Sequence, residues 1–195
     1  MIEYKRGSEH VIVLLHEIYG INEHVKDTAK RFFNLGYDVI CPNLLPIECP
    51  FTYEEEQQAY RYFIENIGFE NGAARVKELL QPLSNNYKKV TIVGFSIGAT
   101  IAWLCSEEKG VHSIIGYYGS RIRDYLYLKP TCHTTLFFAA QEKSFDVNKV
   151  AETRQCNDVQ VSIFDADHGF ADAHSSNFNA QASEKAWTLL QQQLN

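Results

Sequence analysis

Short apolar runs alternate along the chain with longer segments in which apolar residues recur every three or four positions. The runs predict strands that are covered on both faces, and the recurring pattern predicts amphipathic helices. The predicted strands are 11–15, 37–41, 89–95, 113–118, 134–138 and 159–164. The predicted helices lie between 22 and 36, at about 53–66 and 71–84, from 97 to 108, and near 179–193. Because the two element types alternate, we predict one α/β domain over residues 1–195 with a mainly parallel, doubly wound sheet.

Turn-forming residues mark where these elements begin and end. Asn22 is suited to cap the first predicted helix, and Gly36 is suited to end it. Pro42 closes the second strand, and residues 43–52 read as a loop with two further prolines. In doubly wound sheets, ligands bind at the carboxyl ends of the strands. We therefore expect the functional side chains in the loops that follow the strands.

The sequence Gly94-Phe95-Ser96-Ile97-Gly98 follows a predicted strand and leads into a helix-forming stretch. A strand, a tight turn that carries one serine, and a helix form the layout of a nucleophile elbow. The flanking glycines allow a sharp turn, which exposes the Ser96 hydroxyl beside the free N–H groups of the helix N-terminus. The motif alone is weak, since a chain of this length has about one chance in fifteen of containing it. Its position between a strand and a helix makes Ser96 the predicted nucleophile.

A serine hydroxyl is a poor nucleophile until a base takes its proton, and the base needs an acid that orients it. His168 is the candidate base, because it follows the last predicted strand and can reach the elbow from the same sheet edge. The acid is expected after strand 134–138, where Glu142 and Asp146 are both available. Glu142 comes soon after the strand and is favoured; Asp146, one helical turn further on, stays as the alternative.

The segment His16-Glu17-Ile18-Tyr19-Gly20 follows the first strong predicted strand. A loop at this place can aim the Ile18 backbone N–H at the same point as the Ile97 N–H, and two converging N–H groups form an oxyanion hole. Glu17 would then lie close to Ser96. We consider two roles for it, an active-site acid and a structural acid bonded to loop amides.

Charge and composition limit the classes of function. A net charge of −6 argues against a nucleic-acid partner or an anionic membrane surface. No apolar run approaches the roughly 18 residues of a membrane helix, and the first residues lack the apolar stretch of a secretory signal. Five cysteines without a C-x-x-C pair are best explained as free thiols in a reducing cytoplasm. We expect a cytoplasmic protein with a small-molecule substrate; the sequence predicts no particular oligomeric state.

A metal site is not expected. Asp165, Asp167 and His168 lie close together in the sequence, but no second cluster of ligands accompanies them. We therefore expect neither a metal nor an organic cofactor.

Together these motifs resemble the dienelactone hydrolase family of α/β-hydrolases. The matching segments run in the family's order and cover nearly the whole chain. They are 15–20, 36–42, 94–98, 116–119, 168–170 and 179–187. The resemblance implies a three-layer α/β-hydrolase-like fold, with Ser96 as nucleophile and His168 as base. It also implies that the amides of Ile18 and Ile97 form the oxyanion hole.

The chain departs from the family pattern at three places. The namesake enzymes carry cysteine where this chain has Ser96, and a serine points to esterase chemistry. In those cysteine enzymes the glutamate of the His-Glu segment is linked to thiol activation, and the role of Glu17 beside a serine is left open. The family's acid is usually an aspartate three residues after a glycine that ends the strand, whereas Ala139 and Glu142 hold those two places here.

We expect a hydrolase that cleaves a small carboxylic ester or lactone through a serine acyl-enzyme. The alternatives are a non-catalytic family member that binds a ligand or a protein partner, and an acyltransferase or peptidase that uses the same triad. Residues 43–72 are expected to shape the pocket, with Phe51, Tyr53, Tyr60 and Tyr62 available. Dienelactone bears a carboxylate and calls for a basic contact. The candidates for that contact are Arg61, Arg75, Arg121 and Arg123.

Overall fold

A computed structural model describes residues 1–47, 49–142, 145–154 and 159–194; Cys156, one of the five predicted thiols, lies outside them. Strands and helices alternate within these residues, as predicted. The strands are β1 (Ile2–Tyr4), β2 (His10–Leu15), β3 (Asp38–Cys41), β4 (Lys89–Phe95), β5 (Ser113–Tyr117), β6 (His133–Ala139) and β7 (Val159–Phe164). The helices are α1 (Glu23–Asn34), α2 (Glu56–Asn66), α3 (Gly68–Asn86), α4 (Ile97–Leu104), α5 (Val147–Arg154) and α6 (Ala180–Leu194). Short 3-10 turns cover Tyr53–Glu55 and Ser120–Tyr125.

The strands of the described chain form one seven-stranded sheet in the order β1-β3-β2-β4-β5-β6-β7. β1 pairs antiparallel with β3, and all other neighbours are parallel, which confirms the predicted α/β class. The chain moves outward from β2 to β3 and then returns to place β4 on the other side of β2. The elbow after β4 therefore lies at the point where the strand order reverses, which is where ligands bind in such sheets.

Helices cover both faces of the sheet and produce three layers. Alternate residues of β2 face opposite layers, because successive side chains of a strand point to opposite faces. Val11, Val13 and Leu15 pack with α2, α3 and α4, whereas Ile12 and Leu14 pack with α1 and α6. With both faces covered, β2 has no wet side, and this explains its uninterrupted apolar sequence. None of the helices in the described ranges is long and apolar enough to cross a bilayer.

The first helix begins and ends where the sequence predicts. Asn22 caps α1, since its side-chain oxygen accepts a hydrogen bond from the Val25 backbone N–H at 3.2 Å. Gly36 follows the helix with a φ of 104°, a left-handed conformation that favours glycine and stops the helix. The chain then enters β3 directly.

Three parts of the fold differ from the sequence prediction. β1 and α5 are not predicted: the three residues of β1 are too few to show a period, and α5 has eight residues. α4 ends at Leu104 instead of continuing to residue 108. The reason is that the Ser106 carbonyl accepts a hydrogen bond from the Thr131 N–H at 2.9 Å, which draws the chain away from the helix.

Candidate active site

Ser96 occupies a strained turn between β4 and α4. Its φ of 50° and ψ of −112° lie in a region that residues with a side chain rarely adopt. The surrounding backbone is tightly packed: a Cβ on Gly94 would overlap the Gly98 carbonyl, and a Cβ on Gly98 would lie 2.5 Å from the Leu15 carbonyl oxygen. Both glycines are needed for this close approach of backbone to backbone. The turn holds the Ser96 side chain at the wall of a cavity.

Loops from three strands bring Ser96, His168 and Glu142 together. The Nε2 atom of His168 lies 3.0 Å from Ser96 Oγ, and its Nδ1 atom lies 2.7 Å from Glu142 Oε1. His168 follows β7 and Glu142 follows β6, so all three side chains come from the carboxyl ends of parallel strands. With an ionised Glu142, Nδ1 carries the proton and donates it to the carboxylate. Nε2 is then left to accept the proton of the Ser96 hydroxyl.

Glu142 also changes the proton affinity of His168. The Glu142 side chain is 4% exposed, whereas the His168 side chain is 38% exposed. Burial lowers the pKa of His168, but the hydrogen bond and the charge of Glu142, aided by the charges of Glu17 and Glu56, raise it more. The net result is a raised pKa. The imidazolium that forms when His168 accepts a proton is thus stabilised in place.

Asp146, the alternative acid, makes a different contact. It is exposed, and its Oδ1 atom accepts a hydrogen bond from the Asn148 backbone N–H at 3.0 Å. This contact satisfies a free N–H group at the beginning of α5, as an N-cap residue does. In the described contacts, the carboxylate that bonds to His168 is that of Glu142.

The two predicted oxyanion-hole donors make no hydrogen bonds in the described chain. Within the residues that the structure describes, neither the Ile18 N–H nor the Ile97 N–H has a hydrogen-bond partner. Ile97 is the first residue of α4, and the first N–H groups of a helix have no partner inside the helix. Ile18 lines the same cavity as Ser96. The arrangement is suited to bind a negatively charged oxygen beside Ser96.

His16 orients the Ile18 amide, a role that the sequence reasoning did not assign. The fully buried His16 ring accepts a hydrogen bond at Nε2 from the Leu44 N–H at 2.9 Å and donates one from Nδ1 to the Glu17 carbonyl at 2.6 Å. The same carbonyl accepts a second bond from the Gly20 N–H at 3.2 Å. In a trans peptide the N–H points opposite to the C=O, so holding the Glu17 carbonyl holds the Ile18 N–H. Burial lowers the pKa of His16 to about 4, which keeps the ring neutral at physiological pH.

A cavity of about 560 Å³ opens beside Ser96, and its described lining is rich in acids. Two of the predicted pocket aromatics, Tyr53 and Tyr60, line it, whereas Phe51 and Tyr62 pack against the core. The carboxyl-bearing residues of the lining are Glu17, Glu56, Glu142, Asp167 and Asp172. Among the described residues, no lysine or arginine lines the cavity, so the four candidate arginines lie elsewhere.

Glu17 is a buried acid with one unsatisfied carboxyl oxygen. It is 6% exposed, and its Oε1 atom has no hydrogen-bond partner among the described residues. Burial, and then the charge of Asp172, raise the pKa of Glu17 to about 7. The fully buried Asp172 differs, since it accepts hydrogen bonds from the Tyr53 hydroxyl at 2.6 Å and the His174 N–H at 2.8 Å. A structural acid bonded to loop amides therefore describes Asp172 better than Glu17.

Glu17→Gln is expected to stabilise the protein at alkaline pH. Because the folded-state pKa of about 7 exceeds the ordinary value of 4.5, the folded state binds this proton more tightly than the unfolded state. The contribution of Glu17 to stability is thus present at acidic pH and falls as pH rises from 4.5 to about 7, by up to about 3 kcal/mol. Glutamine has nearly the same shape but does not titrate.

Urea unfolding at about pH 5 and about pH 8 measures this effect. The unfolding free energy of Glu17→Gln, relative to the parent, should rise between the two pH values. Glu65→Gln is the matched control, because Glu65 is an exposed residue on α2. An unchanged difference between the two pH values for Glu17→Gln contradicts the prediction.

The strand order, the elbow at the switch point and the Ser96-His168-Glu142 contacts define the class of protein: it is an α/β-hydrolase. The sequence pattern of the dienelactone hydrolase family matches residues 2–195. The chain belongs to the dienelactone hydrolase family and is a hydrolase of that family.

Individual relatives agree with this assignment. Over 183 residues the chain is 38% identical to an uncharacterised protein, YczH, of Bacillus subtilis (strain 168), covering 92% of this chain and 90% of that one. Over 194 residues it is 28% identical to the carboxymethylenebutenolidase of Pseudomonas putida, covering 90% and 81% of the two chains. A solved structure of a dienelactone hydrolase-like promiscuous phosphotriesterase from metagenomic libraries has a TM-score of 0.72 at 18% identity, covering 95% and 85%. At 18% identity, this last similarity shows a shared fold and nothing further.

Proposed function

We propose that the protein hydrolyses a small carboxylic ester or lactone through a serine acyl-enzyme. The observation that carries the proposal is the unbroken chain of contacts from Ser96 Oγ through His168 to Glu142, at 3.0 and 2.7 Å, beside a cavity. These distances match the hydrogen-bond reach that a nucleophile, a base and an orienting acid require. The proposed nucleophile is Ser96, the proposed base is His168, and the proposed acid is Glu142.

The reaction proceeds in two halves. Ser96 Oγ attacks the carbonyl carbon while His168 Nε2 takes the hydroxyl proton, and the negative oxygen binds between the Ile18 and Ile97 N–H groups. Each such donor contributes on the order of 3 kcal/mol to lowering the barrier. His168 then gives its proton to the leaving alcohol as the ester bond breaks, which leaves an acylated Ser96. Glu142 stays ionised and stabilises the imidazolium throughout.

Water completes the cycle. A water molecule gives its proton to His168 and attacks the acyl carbon, and the proton passes to Ser96 Oγ as the acid product leaves. Every group in this scheme is a side chain or backbone N–H of the chain, so the reaction needs no cofactor. We extend the proposal to a cytoplasmic location, which is supported by the free thiols in the described chain. These are Cys41, Cys49, Cys105 and Cys132.

A fluorophosphonate probe tests the proposal, because it forms a stable adduct with a serine that a base activates. We expect one adduct on the folded protein, located at Ser96 by peptide mass spectrometry, and little adduct on protein that is unfolded first. His168→Gln should label far more slowly while keeping the circular dichroism spectrum of the parent. A folded protein without an adduct at Ser96 would refute the proposal and favour a non-catalytic family member that binds a ligand or partner.

A further inference from the structure

The cavity beside Ser96 carries an excess of negative charge. Glu142 accepts a hydrogen bond from His168, and Asp172 accepts hydrogen bonds from Tyr53 and His174. Glu17 lies inside the cavity and keeps its Oε1 atom without a hydrogen-bond partner among the described residues, although the charge of His168 and the Tyr118 hydroxyl act to lower its pKa. Glu56 on α2 is exposed at the same cavity. A ligand with a negative charge would meet like charges on this side, and a ligand with a positive charge would meet opposite ones.

Glu17 is the feature that points to a ligand. A buried carboxyl oxygen without a hydrogen-bond partner costs free energy, and such an atom is usually satisfied by protein, water or a bound molecule. Oε1 of Glu17 is in this condition while its residue is 6% exposed and lines the catalytic cavity. A cationic group in the cavity would pair with the charge of this carboxylate and offset the repulsion from Asp172.

Aromatic side chains form another part of the same wall. Tyr19, Tyr53 and Tyr60 all line the cavity, and the rings of Tyr19 and Tyr53 pack edge to face with centroids 4.8 Å apart. Aromatic faces attract cations, and a carboxylate among aromatic rings is the chemistry that recognises alkylammonium groups. The arginines considered as contacts for a substrate carboxylate do not line the described cavity and so do not offset its attraction for cations. Arg121 contacts Asp124 at 2.7 Å, and Arg75 donates to the Leu44 carbonyl at 3.2 Å.

We propose that the catalytic cavity selects esters that carry a positively charged group, and that Glu17 is the residue that binds this charge. The inference rests on the proposed ester hydrolysis and names its substrate class. It follows that a carboxylate-bearing lactone such as dienelactone is a poor substrate of this protein.

Matched substrates measure the selection. One series holds the acyl group constant and varies the alcohol part: acetylthiocholine, its neutral tert-butyl isostere, and an acetyl thioester whose chain ends in a carboxylate. A second series places the same three end groups on the acyl chain of p-nitrophenyl esters. In at least one series, kcat/KM should be about tenfold higher for the cation than for the neutral isostere. In both series it should be about tenfold lower for the anion.

Salt dependence and substitutions test whether the charge of Glu17 causes the preference for cationic esters. The cation-to-neutral ratio should fall as salt concentration rises, because salt screens charge in an open cavity. In Glu17→Gln the ratio should fall most of the way to one, and in Glu56→Gln it should fall less, since that residue is exposed. Glu65→Gln, on the same helix as Glu56 but outside the lining, should keep the ratio of the parent. The salt series uses the unaltered protein and decides the matter even where a variant does not fold.

The outcomes separate this inference from the proposed function. Hydrolysis of the neutral esters that depends on Ser96, with equal kcat/KM for all charges or a preference for the anion, overturns the inference alone. Absence of hydrolysis in both series overturns the proposed function, and binding then decides the inference. Choline and its neutral tert-butyl isostere are titrated into the protein by calorimetry: tighter binding of choline that Glu17→Gln abolishes supports a cation site, and equal or absent binding refutes it.

Discussion

Ser96→Ala is expected to lower kcat for p-nitrophenyl butyrate by about 10⁵-fold. Alanine removes the hydroxyl that, in the proposed reaction, attacks the carbonyl carbon and forms the acyl-enzyme. The backbone N–H groups of Ile18 and Ile97 remain, so a residual rate of about 10³-fold over water is expected from them and from binding. Steady-state kinetics, with the uncatalysed rate subtracted, measures both quantities.

The control for Ser96→Ala is a serine outside the cavity. Ser84 lies on α3, and its hydroxyl donates to the Gln81 carbonyl of the same helix at 2.9 Å. Ser84→Ala should keep the activity of the parent. Circular dichroism should show both variants folded. Retention of more than about a hundredth of the activity in folded Ser96→Ala is incompatible with Ser96 as the nucleophile.

Glu142→Gln is expected to lower kcat by about 10⁴-fold, whereas Asp146→Asn leaves it unchanged. The Glu142 carboxylate accepts the Nδ1 proton of His168 at 2.7 Å, and this bond keeps Nε2 free to accept the proton of Ser96. An amide can donate to Nδ1 instead and stabilise the wrong tautomer. Asp146 caps α5 through the Asn148 N–H and makes no contact with His168 among the described contacts. The pair of variants removes one carboxylate charge each, so only geometry distinguishes them.

The pH dependence of the two variants tests the same assignment. His168 must be neutral to act as a base, and its raised pKa places the acidic limb of kcat/KM above the ordinary 6.5. Without the charge of Glu142, burial dominates and lowers the pKa of His168, so the limb should move to lower pH in Glu142→Gln. Asp146→Asn should keep the limb of the parent. A shifted limb or a large loss of activity in Asp146→Asn would show that Asp146, and not Glu142, is the acid that orients His168.

The buried carboxyl groups of the cavity and the strained turn at Ser96 destabilise the fold. Glu17 and Asp172 are both buried, and each charge raises the pKa of its neighbours, including the Tyr118 hydroxyl. Ser96 adds a strained backbone conformation, held by the close packing of Gly94 and Gly98. Such features persist in a fold when the surrounding core holds them in place. Two apolar layers, one on each face of the sheet, provide that support here.

The local sequence pattern was enough to predict most of the strands and helices. Strands covered on both faces are mostly apolar, so β2, β4 and β5 stand out in the sequence. The glycines around Ser96 predict the elbow because a tight turn requires small residues at those places. The position of His168 after the last long strand follows from the rule that parallel strands end at one edge. β1 escaped prediction because an element of three residues is too short to show a period.

The sequence favoured Glu142 as the acid but left Asp146 as an alternative. Two carboxylates follow β6 within a few positions, and the tertiary contacts distinguish them: Glu142 bonds to His168, while Asp146 bonds to the Asn148 N–H at the beginning of α5. The orienting role of His16 depends on a contact with Leu44, which lies 28 positions away.

The sequence by itself determined the class, six of the seven strands of the described sheet and the position of the proposed nucleophile, because those follow from burial and backbone geometry that local residue types reveal. Only the tertiary structure decided which acid meets the base, and that Glu17 lies in an acidic cavity with one carboxyl oxygen unsatisfied among the described residues. The reason is physical: Glu142 and His168 are 26 positions apart, and contacts of that kind arise where loops from different strands converge.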